Sequence, residues 1–589
     1  MIANADGDAP VTSATSYRRQ AVMALMDGDG RVPSGRVDAG LLQPDPAAAF
    51  GVRLDERAVV EAFDLVWRPR SVVLVEGSDL VRHDVSRMVL SRQRREALQH
   101  GAMDRTDRLV GVLMARVDAT RDVVMVVGPA ASSARAGLTV AALRAPGVGA
   151  GLLRSGTTRR TRFVQLVDVA PTILDQLGIE RPEVMEGRRF EAVRSHASLR
   201  SRAASLAGAD HAAAFRDRQT TLAATVYTWA AGALVLAAVA VLTLGRHRRR
   251  SRGLAAAALG LVVFLPLTYL AGLVPFDDLG SGPYWLFLGA GSIAGGMVLS
   301  SWRRHALTPL IAALGIVFAL LTVDIVTGGR LQLNTVFGYS PIVAGRFQGM
   351  GNLAYSMYTV SAIVLAGLLA HRVRPPWGTP LALGVVAAAL LVDGLPFFGS
   401  DVGGVLSLVP AAGVFTMVLL GRRVRARVLL AWMATAAGAL AGVGLLDLSR
   451  PPHHRTHLGR LFEKVGAGDL DGIVTVIQRK LHANLSVLTS VWIVSVLVSL
   501  AFVAWLAFAA PRRMAAVRST VPELHAALSA LPVLLVLGFA LNDSGIAVPG
   551  MMFGVIDSVL VYLAVWVHPG PGVGPGSDAD RAHGTGVSP

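Results

Sequence analysis

What most constrains this chain is a succession of long uncharged apolar runs between residues 222 and 567. A helix needs about 20 consecutive apolar residues to cross the hydrocarbon core of a bilayer. Only helices and closed barrels satisfy their own backbone at that depth. Eleven runs read as such helices, near 222–244, 254–275, 283–301, 306–326, 353–371, 379–396, 403–420, 428–447, 487–510, 523–540 and 550–567. Composition agrees, since 53% of the 589 residues are hydrophobic and 16% are charged. An ordinary soluble chain carries about 25% charged residues. A disordered chain is excluded and a cytosolic enzyme is disfavoured, so the expectation is a multi-pass membrane protein.

Charge then suggests an orientation. The formal net charge is +16, and the basic residues are arginines apart from Lys464 and Lys480. No aromatic-interleaved basic stripe accompanies them, so no nucleic-acid partner is expected. Alternate connectors between the apolar runs read RHRRRSR, WRRH, HRVR, GRRVRAR and PRRMAAVR and hold sixteen arginines, whereas the other short connectors hold Arg330 and Arg346. By the positive-inside rule the Arg-rich set is cytoplasmic. Residues 1–220 and the long 449–486 loop are then extracytoplasmic. The chain opens MIANADGDAP, with neither a basic n-region nor an apolar h-region. External placement of 1–220 therefore calls for a preceding transmembrane segment, and without one the orientation reverses. The absence of cysteine excludes disulfides, thiolate metal sites and cysteine nucleophiles.

Residues 1–220 read as an α/β domain, residues 221–567 as an all-α polytopic domain and residues 568–589, rich in Gly and Pro, as a disordered tail. SVVLVEG (71–77) and DVVMVVG (122–128) have the short β-branched pattern of buried strands. RTDRLVGVLMARV between them has helical spacing, which gives a βαβ-like order and hence an α/β sheet. In SDLVRHDVSR, Asp79, His83 and Asp84 could serve as metal ligands, but a polar turn after a strand is the leading reading of them. In SGTTRRTRF (155–163), hydroxyls beside Arg159 and Arg160 form a candidate phosphate loop, set against a solvated basic loop.

The stretch 142–190, with APG, then VDVAPTILDQLGI, then P..MEGR, resembles the C-terminal part of alkaline phosphatase and sulfatase superfamily domains, and the likeness extends over about 70–190. It implies two divalent metals held by Asp and His and an alkoxide-type nucleophile. Where that family runs from strand into a metal-binding Asp-His-Gly turn, this chain reads Gly128-Pro129-Ala130-Ala131-Ser132, without carboxylate or imidazole. The expectation is a partial, non-catalytic relative in which Asp168, Pro171 and Thr172 start a helix.

Polar residues are costly inside a bilayer, so their positions are informative. Three Gly-containing breaks lie on the side assigned as external. The first, 327–352, holds Tyr339, Arg346, Gln348 and Asn352; the second places Asp401 in PFFGSDVGGV; the third places Asn542 and Asp543 in LNDSGIAVPG. A shared cavity is expected. The 449–486 loop adds His453, His454, Arg479 and Lys480, and an amphipathic stretch LDGIVTVIQRKLHANLS suited to a membrane surface. His453, His454 and His457 come without a carboxylate pattern, so no metal site is assigned, and no cofactor is identified.

GRFQGMGNLAYSMY, GSDVGGVLSL and the long basic loop faintly resemble the O-antigen ligase and polymerase class, although the usual Asn-Pro-Asn is reduced to Gly351-Asn352. That likeness implies a lipid-linked glycan as substrate, Arg346 on its diphosphate and a loop histidine as base on the acceptor hydroxyl. The Arg-dominated, Ala/Gly/Val-rich composition also looks like that of actinobacterial multi-pass envelope proteins. The leading expectation is an envelope protein acting on a lipid-linked anionic phosphate or diphosphate at the external face. In that reading Asp401, Asp543, His453 and His454 carry chemistry, while Arg346, Gln348, Asn352, Tyr339, Asn542, Arg479 and Lys480 bind substrate. A transporter or flippase and a non-catalytic scaffold are the alternatives, with membrane lipids and a polyprenyl-linked glycan or phosphate as partners.

Overall fold

A computed structural model describes the chain except residues 5–19, 28, 33, 132–135, 183–184, 245–247, 303–304, 396, 449–477, 479–488 and 568–589. It is mostly helical, with a few short strands in the N-terminal part. Two compact units emerge: Met1–Asp217 with Pro341–Phe347, and Arg218–Ser340 with the chain from Gln348 onward.

In the first unit the expected βαβ-like order is not seen among the described residues, where the strands form three antiparallel pairs. They are β1 (Leu42–Pro44) with β2 (Val52–Leu54), β3 (Val124–Val127) with β4 (Ala141–Arg144), and β5 (Gly151–Ser155) with β6 (Phe190–Arg194). DVVMVVG does form β3, but its neighbour is the antiparallel β4 that follows the 128–140 connector. The Gly128 amide donates to the Val140 carbonyl and the Thr139 hydroxyl to the Gly128 carbonyl. SVVLVEG pairs with the chain start, where the Ile2 amide donates to Leu74 O and the Glu76 amide to Ile2 O. One bridging residue does not make a ladder, so this expected strand is an isolated bridge.

Helices α1 (Glu56–Val66), α2 (Ser78–Ser86), α3 (Arg92–Met114) and α4 (Val169–Gln176) complete this unit together with the first part of α5 (Leu199–Thr243). The Asp55 carboxylate starts α1 by accepting from the amides of Arg57 and Ala58. The helix then buries Val59, Val60 and Phe63 against Ile2, Leu41, Leu54 and Leu109. A second small core joins Ala24, Val169 and Phe190. SGTTRRTRF is solvated in part, with Arg159, Thr161 and Arg162 exposed, and its other side chains bond within the unit. Thr157 donates to Asp168, Thr158 donates to Phe163 O, and Arg160 Nε donates to Phe347 O at 3.0 Å. Gln165 reaches Ala344 O at 2.6 Å and the Phe163 and Phe347 rings sit 5.9 Å apart, so this loop grips the 341–347 segment.

All eleven apolar runs contain helix. The later part of α5 is followed by α6 (Arg248–Leu270), α7 (Phe276–Leu279), α8 (Ser281–Ser301), α9 (Thr308–Val326), α10 (Asn352–Arg372), α11 (Gly378–Gly394), α12 (Val402–Leu419), α13 (Ala426–Leu448), α14 (Trp492–Phe508), α15 (Pro511–Thr520), α16 (Leu524–Leu541) and α17 (Ala547–Trp566). Among the described residues eight helices are long and apolar enough to cross a membrane, or nine if the bent pair α14–α15 is one span. The count among the described residues is lower than the expected eleven spans because α11 has 17 residues and the described apolar stretch of α13 is Ala426–Gly438. The chain is thus a membrane protein with multiple candidate spans.

Helices α10 and α17 form the centre of the second unit, and α17 is buried from end to end. Helices gain no hydrophobic drive for association in lipid, so small residues that let backbones approach supply the packing. The tight α6–α8 seam has this character, with Gly296 against Ala256 and Gly260 against Ser292. On α17, Gly550 faces Trp492 and Gly554 faces Tyr227.

Candidate functional site

The three polar breaks do meet. They lie at the ends of α9, α10, α12 and α16 opposite those that carry the Arg-rich connectors. Asp324, in the last turn of α9, accepts the Leu331 amide at 2.7 Å and so turns the chain into the first break. Gln332, fully buried, accepts the Gly351 amide through its side chain and the Tyr339 amide through its backbone. The Tyr339 ring lies against Gly351, immediately before Asn352 at the start of α10.

The second break docks on the first through backbone. The Met350 amide donates to Gly399 O at 2.9 Å, and Gly349 (φ 81°) approaches the Gly399 carbonyl so closely that a side chain there would collide with it. The Asp401 amide then donates to Asp393 O at 3.1 Å, and Asp401 begins α12. The third break closes the cluster: Asn352 Nδ2 donates to Ser544 Oγ at 2.6 Å, and Gly403 packs on Leu541 and Asn542. Deeper in, the Tyr355 hydroxyl lies 2.6 Å from Ser407 Oγ, and the Asp393 carboxylate packs over Gly404 beside the same phenol ring.

Of the residues singled out by sequence, Tyr339, Asn352, Asp401 and Asn542 therefore share this cluster. Tyr339, Asp401 and Asn542 are buried and Asn352 is half-buried. Gln348 is half-buried beside Gly349, and Asp543 is exposed next to Asn542. Arg346 belongs to the first unit, within the segment gripped by Arg160 and Gln165. His453, His454, Arg479, Lys480 and the amphipathic stretch, apart from Gln478, lie outside the described residues.

Sequence reasoning passed over Gln332, Ser407 and three carboxyls within the helices, Asp324, Asp393 and Asp557. Each carboxyl is a single acid inside an otherwise apolar run, which is itself the signal that would have found it.

In the first unit Asp79 is a structural anion. It is 5% exposed and pairs with Arg82, while Arg105 Nε donates to it at 2.6 Å and the Leu54 amide at 3.0 Å. Burial alone would raise this carboxyl, but the hydrogen bonds from Arg82, Arg105 and Leu54 outweigh it and hold it below its ordinary value. His83 contacts the Arg95 carbonyl and Asp84 pairs with Arg87, so the SDLVRHDVSR residues lie along α2 with partners from the protein itself. Asp168 acts likewise, accepting from the Gln165 and Arg188 amides and from Thr157, while Thr172 bonds the Asp168 carbonyl. Neither family models, nor curated proteins, nor solved structures match the chain.

Proposed function

We propose that this chain is a cell-envelope membrane protein that acts on a lipid-linked anionic substrate, a phosphate or diphosphate, at the polar end of its helical domain. The observation that carries this reading is the joining of three Gly-containing breaks into one hydrogen-bonded cluster, on the helix ends away from the Arg-rich connectors. Irregular backbone at a membrane face is tolerated where it lines a protein interior or cavity, which is where a headgroup would enter.

In this proposal Asp401 is the base toward an acceptor hydroxyl, with His453 or His454 of the long loop as the other candidate, and Asp543 assists. Asn352, Asn542, Tyr339 and Gln348 orient the polar headgroup. The cluster is itself acidic, so the substrate's charge calls for cations, and Arg479 and Lys480 of the long loop are the candidates. The N-terminal unit is a non-catalytic partner domain, a role supported by the antiparallel pairing of β3 with β4. Transport of the same substrate class is the second reading, favoured by a carboxyl, Asp557, midway along the buried α17.

Lipid extracts of cells carrying Asn352→Ala or Asp401→Asn test the proposal. Accumulation of polyprenyl-linked intermediates at normal protein levels is expected in both. An unchanged lipid profile in both overturns it. In vitro turnover of the accumulated species by the purified protein separates an enzyme from a transporter.

A further inference from the structure

Asp557 is the eleventh of the twenty residues of α17. At 1.5 Å per residue it lies about 15 Å from either end, the middle of a span that matches the bilayer core. It is 1% exposed. An ionised carboxylate at that depth is costly even on permissive insertion scales, so an acid there needs a counter-ion or a proton.

No cation faces it among the described residues. Helix α14 carries no titratable side chain. Of the tyrosines on the other helices packed against α17, Tyr269 bonds Phe337 O, Tyr355 bonds Ser407 and Tyr358 bonds Thr322. Tyr562 of α17 itself bonds Ala306 O. His371 pairs with Glu523, while Arg372, His525 and the arginines of α6 lie in terminal turns. From α15, Arg513 donates to Ala564 O, seven residues beyond Asp557 and about 10 Å further along the helix; Arg512 and Arg518 flank it on that helix.

The hydrogen bonds around Asp557 identify what takes the place of a cation. Ser499 Oγ is 2.6 Å from Asp557 Oδ2 and 2.7 Å from the carbonyl of Ser495. A serine hydroxyl has one proton and cannot donate to both oxygens. Both contacts are satisfied when Asp557 is protonated and donates to Ser499, which then donates to Ser495 O. When Asp557 is ionised, Ser499 must turn its proton to the carboxylate and leave the carbonyl.

The other side of the site is equally particular. Asp557 Oδ1 and the Tyr227 hydroxyl are buried with no hydrogen-bond partner among the described residues. Tyr227 OH lies against Gly554, one turn before Asp557 on the same helix face. The Tyr227 ring is packed among Phe264 and Phe337, and Trp492 extends this aromatic wall.

We propose that Asp557, Ser499 and Tyr227 form a reversible proton-binding site inside the membrane domain, in which uptake of one proton by Asp557 reverses the direction of the Ser499 hydrogen bond. This goes beyond the lipid-substrate reading and does not depend on it.

The test is pH-titrated infrared difference spectroscopy of the purified full chain in lipid, following the carbonyl stretch of a protonated carboxylic acid. A band that titrates away reversibly with rising pH, and is lost in Asp557→Asn, is expected. Ser499→Ala should move the midpoint upward, because it removes a charge-assisted bond from the ionised form. That variant keeps the proposal testable if Asp557→Asn does not fold. A wild-type spectrum without a titrating band overturns the site, as does a titrating band unmoved in Ser499→Ala or retained in folded Asp557→Asn. Cellular lipid profiles play no part in the readout, so failure here leaves the lipid reading standing, and the reverse holds.

Discussion

Replacing Asp79 with alanine should destabilise the first unit by about 3–5 kcal/mol, the usual cost of breaking a buried ion pair from one side. The reasoning rests on Arg82, 1% exposed, and Arg105, 17% exposed, both of which aim at this carboxylate. Once it is gone, a buried guanidinium loses its opposite charge, although Arg82 keeps its bond to the Asn4 carbonyl. For a unit of this size the melting temperature should fall by roughly 6–20 °C. Asp79→Asn preserves volume and one acceptor oxygen and should cost about 2 kcal/mol.

The pH dependence has a definite sign. The folded carboxyl titrates below its unfolded value, so its stabilisation is complete above about pH 4 and is lost as pH falls through the folded value. The gap between wild type and Asp79→Ala should therefore close in acid. Pulse proteolysis of the intact protein in urea, reading cleavage within residues 50–110 at neutral and acid pH, measures both quantities. A variant within 1 kcal/mol of wild type at neutral pH, or a gap that persists in acid, would refute the ion-pair account. Manganese binding that disappears in Asp79→Asn would return Asp79 to the role of metal ligand.

Three further outcomes follow from close contacts. Gly554→Ala would place a methyl group 2.5 Å from Tyr227 Cε1 and should cost about 1–3 kcal/mol, seen as a lower melting temperature in detergent. Gly349→Ala combines a positive φ with a collision against Gly399, so hydrogen exchange at the Met350 amide should accelerate at least tenfold. Arg160→Ala removes the bond to Phe347 O, worth about 1–2 kcal/mol, and should open residues 341–347 to protease while leaving α10 protected.

The membrane half was legible because its signal is local. An apolar run of sufficient length has one backbone solution, and each of the eleven runs holds a helix. The meeting of Asn352, Asp401 and Asn542 was also accessible, since residues at the same ends of neighbouring helices tend to meet. Strand pairing is not local. Nothing within SVVLVEG announces that its partner is the single residue Ile2, or that DVVMVVG folds back on AALR rather than crossing over. Asp557 and Asp393 escaped for a different reason: averaging hydropathy over a span conceals the one residue that does not fit. Asp79 and Thr157 show the remaining ambiguity: a carboxylate or hydroxyl near arginines looks the same in sequence whether it awaits a ligand or serves the fold.

Residues 341–347 are counted with the first unit although both of their flanks belong to the second. The main chain thus passes between the units at 217/218, 340/341 and 347/348. A fragment ending at Asp217 would carry the Phe163 ring and the Arg160 guanidinium without the segment they hold. In genetic terms the halves are not interchangeable cassettes. A single recombination junction cannot exchange one for another and keep this contact, so the N-terminal unit and the first break of the membrane unit are bound to be inherited together.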